Sequence, residues 1–252
     1  RDSLTQTFQS FDPQKVVNLA AQAGVRYSIE NPYAYMDSNL VGFLNVIELC
    51  RHNDVEGLIY ASSSSVYGGN EKIPFSTEDR VDNPISLYSA TKRANELIAL
   101  SYSHLYGLRT TGLRYFTVYG PWGRPDMAMF IFTQKILARE PILVFNNGKM
   151  KRDFTYIDDI ISGTRSAIDK NYTCEVFNLG NHRSEQLMDV VHLIEENLGK
   201  KAEIKFLPMQ PGDVKESFAD ITHSKEKLGF KPKTSIEEGI PKFIKWYKNY
   251  YA

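Results

Sequence analysis

An apolar run ending in four serines, a long helical pattern and a second apolar run constrain this chain more than any other feature. Gly57-Leu-Ile-Tyr-Ala61 is apolar on both faces and passes directly into Ser62-Ser-Ser-Ser65. Residues 86–106 carry Leu87, Ala90, Ala94, Leu97, Ile98 and Leu105 at helical spacing, and Gly107 stands where a left-handed C-cap belongs. Residues 110–118 read as another strand, closed by Tyr119-Gly-Pro121. Strand, helix, strand in this order predicts a parallel β-α-β unit whose helices cover the sheet.

The flanking sequence continues the alternation. Val16-Val-Asn-Leu-Ala-Ala21 reads as a buried strand, and residues 32–52 as a helix with Met36, Leu40, Phe43, Leu44 and Ile47 on one side. Further on, the pattern predicts a helix over 127–139, a strand over 142–145, a turn at Asn146-Asn-Gly148 and a buried strand over 174–179. Ser184 is the expected N-cap of a helix ending at Gly199. Ser235-Ile-Glu-Glu238 has the capping-box spacing for a C-terminal helix, whose aromatic residues Phe243, Trp246, Tyr247 and Tyr250 read as packing.

Composition excludes several function classes. Thirty basic residues balance thirty acidic ones over 252 residues, which gives no electrostatic case for nucleic acid or an anionic membrane. No apolar run reaches bilayer length, and the opening Arg1-Asp-Ser-Leu-Thr-Gln6 is polar, so neither a membrane span nor a signal peptide is expected. Cys50 and Cys174 read as free thiols in a reducing cytoplasm. The five histidines lack metal-ligand spacing, so no metal is expected.

The chemistry concentrates at Ser63 and Tyr88-Ser-Ala-Thr-Lys92. A phenol is a poor base near neutral pH, with a reference pKa of about 10. An ammonium one helical turn away favours the phenolate. Ser63 closes a parallel strand, the edge where open α/β sheets bind ligands. Tyr88, Lys92 and Ser63 are therefore the catalytic candidates. Tyr-x-x-x-Lys alone is a weak signal, and four serines can equally satisfy a strand-end loop's own backbone. Their pairing in a strand-then-helix context is what carries the reading.

Longer motifs carry a family resemblance. They are Asn18-Leu-Ala-Ala-Gln-Ala-Gly-Val-Arg26, Asp37-Ser-Asn-Leu-Val-Gly-Phe43, Tyr60-Ala-Ser-Ser-Ser-Ser-Val-Tyr-Gly68, Arg114-Tyr-Phe-Thr-Val-Tyr-Gly-Pro-Trp-Gly-Arg-Pro-Asp-Met-Ala128, Arg152-Asp-Phe-Thr-Tyr-Ile-Asp-Asp159 and Pro211-Gly-Asp-Val214. With these the chain resembles the extended short-chain dehydrogenase/reductases of the nucleotide-sugar epimerase/dehydratase group. It is most like their UDP-glucuronate 4-epimerase branch.

The resemblance implies an α/β fold: a Rossmann-like doubly wound parallel sheet lacking its first strands, with a smaller mixed α/β C-terminal substrate domain. It implies that residues 1–120 and 153–182 form the NAD-binding part and residues 121–152 and 183–252 the UDP-sugar part. Tyr88 is then the general base, Lys92 its partner and a ribose ligand, and Ser63 a contact of the 4-hydroxyl. Ala20, Ala21, Gln22 and Asn39 line the NAD site, with Tyr88 and Lys92. Ser64, Ser65, Thr117 and Arg124 meet the hexuronate, and Arg152 and Asp213 serve the UDP end. Thr117 and Asn39 could instead satisfy only backbone, and Arg152 could form a surface salt bridge with Asp153 or Asp158. The resemblance also implies a homodimer through a four-helix bundle of the 32–52 and 86–106 helices, a cytoplasmic setting and a role in polysaccharide biosynthesis.

Departures from the family narrow the reaction. Ser63-Ser-Ser65 lacks the acid pair that sugar dehydratases carry there, and Ser65 stands where decarboxylases carry Glu. Thr117 and Gln210 stand where galactose-type epimerases have Asn and Arg. The expected reaction is NAD-dependent 4-epimerisation of UDP-glucuronate and UDP-galacturonate through a 4-keto sugar. The family's glycine-rich dinucleotide turn is not found in this sequence, and about 60 residues of the family pattern precede its first motif, at about 30 per β-α-β unit. Another UDP-sugar epimerase or decarboxylase, or a non-catalytic sugar-nucleotide-binding module, are the alternatives.

Overall fold

The computed structural model describes residues 1–251. From the N-terminus run α1 (Asp2–Phe11), β1 (Lys15–Asn18), α2 (Tyr27–Glu30) and α3 (Pro32–Tyr35), which continues through a π-helical turn (Met36–Val41) into α4 (Gly42–His52). β2 (Gly57–Ser63) ends in a 3-10 turn (Ser64–Tyr67), followed by α5 (Leu87–Tyr106), β3 (Thr110–Tyr115) and β4 (Thr117–Tyr119). Then come α6 (Ala128–Ala138), β5 (Ile142–Val144), β6 (Lys151–Arg152), β7 (Phe154–Tyr156), α7 (Ile157–Lys170) and β8 (Cys174–Leu179). The chain ends with β9 (Glu185–Gln186), α8 (Leu187–Leu198), β10 (Ile204–Phe206), β11 (Glu216–Ser217), α9 (Thr222–Leu228) and α10 (Ile236–Tyr251).

The expected α/β architecture is present. The main sheet is parallel, in the order β1-β2-β3-β8, with Asn18 beside Tyr60, and Ser63 beside Tyr115. Alternate residues of β2 feed two cores. Leu58 and Tyr60 pack with Phe43, Ile47 and Ala99 from α4 and α5, while Ile59 packs with Leu113, Phe177 and Ile160 on the α7 side. Burial on both faces is why β2 reads as a continuous apolar run rather than an alternating one. Gly112 is required here, because a Cβ would lie 2.6 Å from the Tyr60 hydroxyl oxygen.

A third core lies outside this sheet. Phe130 and Ile136 of α6, Val190 and Ile194 of α8, and Ile240 and Phe243 of α10 enclose Ile142, Val144 and Phe154. β4 pairs with β7, and β5 with β10, in separate two-stranded ladders.

Several sequence expectations need correction. The 110–118 run is not one strand: β3 stays in the main sheet, and after Phe116 the chain crosses to pair with β7. The first strand stops at Asn18 and is not buried, with Val17 39% and Leu19 57% exposed, because it forms the sheet edge. Only Phe177–Leu179 of β8 is buried, and Cys174 is exposed. Ser184 does not cap α8, which starts after Gln186; its hydroxyl donates to Glu216 Oε1 at 2.5 Å. α10 starts directly after Ser235, as read, and the Glu238 and Gly239 amides donate to the Ser235 carbonyl at 3.2 and 2.9 Å. The 86–106 helix stands as read: Ser86 caps it reciprocally with Ser89, and Gly107 ends it at φ 68°.

Candidate active site

The C-terminal edge of the main sheet gathers the candidate residues. β2 delivers Ser63, the loop after β1 delivers Ala20, Ala21 and Gln22, and the first turns of α5 deliver Tyr88 and Lys92. The serine run divides its labour. The Ser62 hydroxyl donates to Glu96 Oε1 at 2.6 Å, a structural contact. Ser63 Oγ accepts the Ser65 amide at 3.1 Å, which caps the 3-10 turn, and it also bonds the Tyr88 phenol. Ser65 Oγ is buried without a partner, so this turn presents an unsatisfied hydroxyl.

Lys92 is 3% exposed, and its ammonium donates to the Ala61 carbonyl at 3.0 Å. It has no carboxylate partner among the described residues, and burial pushes it down to about 8. An ammonium has three donors. One is used here, leaving room for a ligand with neighbouring hydroxyls. Burial raises Tyr88, while the Ser63 hydrogen bond and the Arg124 charge pull it down.

Asn39 sits in the π-helical turn, 1% exposed, and organises the edge rather than lining it openly. Its Oδ1 accepts the Gln22 amide at 2.8 Å, and Nδ2 donates to the Gln22 carbonyl and to Thr91 Oγ1, each at 3.0 Å. Thr91 in turn donates to the Tyr88 carbonyl at 2.9 Å. One amide thus ties the β1 loop to the helix carrying Tyr88. A π turn, with one extra residue per turn, aims this side chain where a regular helix would not.

Tyr35 is a component that sequence reading missed. Its ring meets Tyr88 edge-on at 6.0 Å, and its hydroxyl donates to the Gly24 carbonyl at 2.6 Å. Arg124 reaches the same place: its Nη2 lies 3.7 Å, and the Tyr35 hydroxyl 3.8 Å, from where a Gly24 Cβ would stand. Burial raises the Tyr35 phenol and Arg124 opposes that shift. Arg124 is also paired with Asp126. Thr117 donates its amide to the Asp153 carbonyl at 3.0 Å, while its half-buried side chain makes no hydrogen bond among the described residues.

A second cluster gathers around Asp213. Arg152 Nη1 donates to the Lys151 and Lys215 carbonyls at 2.8 and 3.3 Å, and it forms no ion pair with Asp153 or Asp158. Burial lowers its pKa, and nearby Asp213 partly offsets that. Asp153 is fully buried instead, accepting the Asn181 and Ala219 amides and the Thr155 hydroxyl. Arg26, also missed in the sequence, bonds Asp213 at 3.2 Å and covers the Phe145 ring at 4.4 Å. Two guanidiniums around one carboxylate make a ready anion grip. Among the described residues no group of His, Cys, Asp and Glu could hold a metal ion.

Three comparisons bear on this geometry. The profile described as "NAD dependent epimerase/dehydratase family" matches residues 1–180. An uncharacterised protein of Methanocaldococcus jannaschii is 54% identical over 246 residues, 98% of this chain and 76% of that protein. UDP-glucuronate 4-epimerase 4 of Arabidopsis thaliana is 48% identical over 94% of this chain, which spans 58% of that protein. Among solved structures, a UDP-glucuronic acid 4-epimerase from Bacillus cereus in complex with UDP-glucuronic acid and NAD superposes with TM-score 0.92 at 35% identity, over 98% of this chain and 79% of that one. A Thermotoga maritima UDP-glucose 4-epimerase with UDP-glucose gives 0.94 at 32% identity, over 100% and 82%.

Proposed function

The chain belongs to the NAD-dependent epimerase/dehydratase family and is an epimerase of UDP-sugars, and we propose that its substrate pair is UDP-glucuronate and UDP-galacturonate. The observation that carries the substrate reading is Arg124, a cation held beside Tyr88 and Tyr35, with the unpartnered Ser65 hydroxyl on the neighbouring turn. A sugar carboxylate supplies the acceptor that the Ser65 hydroxyl lacks, and Arg124 meets it by exchanging its pair with Asp126.

In this mechanism Tyr88 removes the proton of the sugar 4-hydroxyl and later returns it. Ser63, bonded to the phenol, holds that hydroxyl and shortens the proton's path. Lys92 keeps a positive charge one turn below the phenol and offers its two free donors to a ribose diol. Ala20, Ala21 and Gln22 form the wall on which NAD rests, and Asn39 positions that wall through Gln22. NAD, when bound, supplies the chemistry of taking the C4 hydride and giving it back. Arg152, Arg26 and Asp213 take the diphosphate end, with Arg26 exchanging its bond to Asp213 for one to phosphate. Thr117 and Ser64 complete the hexuronate contacts. The absence of an acid in Ser63-Ser-Ser65 disfavours dehydration, because nothing there protonates a leaving hydroxyl.

Residues 1–120 with 153–182 serve the cofactor in this reading, and 121–152 with 183–252 the UDP-sugar. The separate core around Ile142, Val190 and Phe243 supports the division, although Phe154 and Tyr156 pack into it from the cofactor side of the boundary. Dimerisation through the α3–α4 and α5 helices is supported by exposed Met36, Val41, Leu44, Leu97 and Leu100 along them. A buried and an exposed free thiol suit a reducing cytoplasm.

The test is incubation with UDP-glucuronate and with UDP-glucose, followed by chromatographic analysis of the nucleotide sugars. Formation of UDP-galacturonate, with little turnover of UDP-glucose, is expected. Conversion of UDP-glucose to UDP-galactose with no uronate product overturns the substrate assignment.

A further inference from the structure

Arg124 lies in a surface loop that does little to hold itself. Between Gly120 and Met127 the backbone makes two local bonds, Gly123 N–H to the Gly120 carbonyl at 3.1 Å and Met127 N–H to the Arg124 carbonyl at 3.2 Å. In its middle stands Trp122, 71% exposed and in the left-handed region at φ 62°. A bulky residue there is strained, and glycine or asparagine would fit more easily. The ring lies 4.8 Å from Tyr250, edge-on, and 5.4 Å from Trp246, both on the last turns of α10. Trp246 is itself stacked on Tyr250 at 5.7 Å. The other end of the loop is tied to the start of the same helix, where the Tyr119 hydroxyl donates to the Ser235 carbonyl at 3.2 Å.

We propose that Trp122 is a positioning residue: its ring, clamped by Trp246 and Tyr250, fixes the loop that presents Arg124 to the hexuronate. The C-terminal helix thereby sets sugar selectivity without touching the sugar. This rests on the assignment of Arg124 to the sugar carboxylate. Physically, an aromatic edge-on pair replaces the hydrogen bonds that the loop lacks, and it offsets the left-handed strain at residue 122.

Two measurements decide it. The first needs no sugar: hydrogen exchange of the 120–127 peptide in the wild type, Trp122→Asn, Trp122→Phe and Tyr250→Ala. Asparagine tolerates the left-handed backbone but removes the ring, and Tyr250→Ala leaves the loop sequence intact. Exchange several-fold faster in Trp122→Asn and Tyr250→Ala, and near wild type in Trp122→Phe, is expected. Unchanged exchange in both ring-removing variants overturns the proposal whatever the substrate is.

The second is calorimetric binding of UDP-glucuronate and of UDP. Trp122→Asn should weaken UDP-glucuronate about threefold to tenfold, the worth of one aromatic pair, and leave UDP unchanged. Combined with Arg124→Ala it should add no further loss. Equal loss for UDP, or a fully additive double variant, contradicts the positioning role. If the wild type binds UDP-glucuronate no better than UDP, the uronate assignment fails by itself, and the exchange experiment still decides whether Trp122 clamps the loop. Both tryptophans of the chain lie in this contact, so intrinsic fluorescence reports its integrity in Tyr250→Ala, which keeps both.

Discussion

The candidate catalytic edge and the loop-borne arginines around it are built differently. Ser63, Tyr88 and Lys92 stand on a strand end and a capped helix, fixed by a buried network in which Glu96 accepts Arg114, Ser62 and Arg93. Arg26, Arg124, Arg152 and Asp213 stand on loops or a two-residue strand, and Arg26 and Arg124 are half exposed, with side chains 53% and 46% accessible. In the proposed mechanism the first region is preorganised for proton transfer, which tolerates little displacement. The second holds its cations on exchangeable partners, which suits a ligand that must enter, turn its sugar over and leave. Rigid chemistry and adjustable grip are therefore separated in the fold.

Substitutions can break this contrast, and the largest effect belongs to the rigid side. Tyr88→Phe should lower kcat by about 10²–10⁴-fold, the usual contribution of a general acid–base group. UDP-sugar affinity, measured by calorimetry, should stay within about twofold because the grip is elsewhere.

Next comes the network under the site. Burial works to raise the Glu96 carboxyl, yet the bonds from Arg114, Ser62 and Arg93 hold it below its usual value. Arg114→Met strands that carboxylate in the interior. It should cost about 3–5 kcal/mol in chemical denaturation, the range for breaking a buried pair. A loss under 1 kcal/mol would mean that the edge is less rigid than described.

Lys92 should show the opposite sign. Its pKa is pushed from 10.5 to about 8 by burial, so the folded protein resists the charged form. The unfolded chain then binds more protons between about pH 8 and 10.5, and stability rises with pH across that window. Below pH 8 the full penalty is present. Lys92→Met should therefore be more stable at pH 7 by about 3 kcal/mol and inactive, with the gain fading toward pH 10.5. Equal stability of the two proteins at pH 7 would refute the desolvated ammonium.

The smallest effects fall on the grip. Arg26→Ala and Arg152→Ala should each raise the UDP-sugar dissociation constant by about tenfold, the scale of a charged hydrogen bond lost at a partly wet site. Loss of kcat without loss of affinity would place them in the chemistry instead.

The same contrast explains what was legible in the sequence. The β2–α5–β3 unit declared itself because its apolar period, its Ser86 start and its Gly107 stop all agree locally. Ser63, Tyr88 and Lys92 were readable as candidates because they lie within that unit. Arg26 and Tyr35 were not, since their meaning comes from distant partners: Asp213 is 187 residues from Arg26. Asn39 was placed near the cofactor wall, but its role as a clamp depends on a π turn that side-chain periodicity does not reveal. The break at Phe116 was missed because β3 and β4 are both strand-like, and only the pairing partner changes.

The central claim is that Tyr88 and its neighbours epimerise C4 by removing and returning one hydride. Turnover of UDP-glucuronate deuterated at C4, followed by NMR of the product, tests it directly. The account predicts UDP-galacturonate with deuterium still at C4. An epimer that has exchanged its C4 deuterium for solvent hydrogen would contradict it.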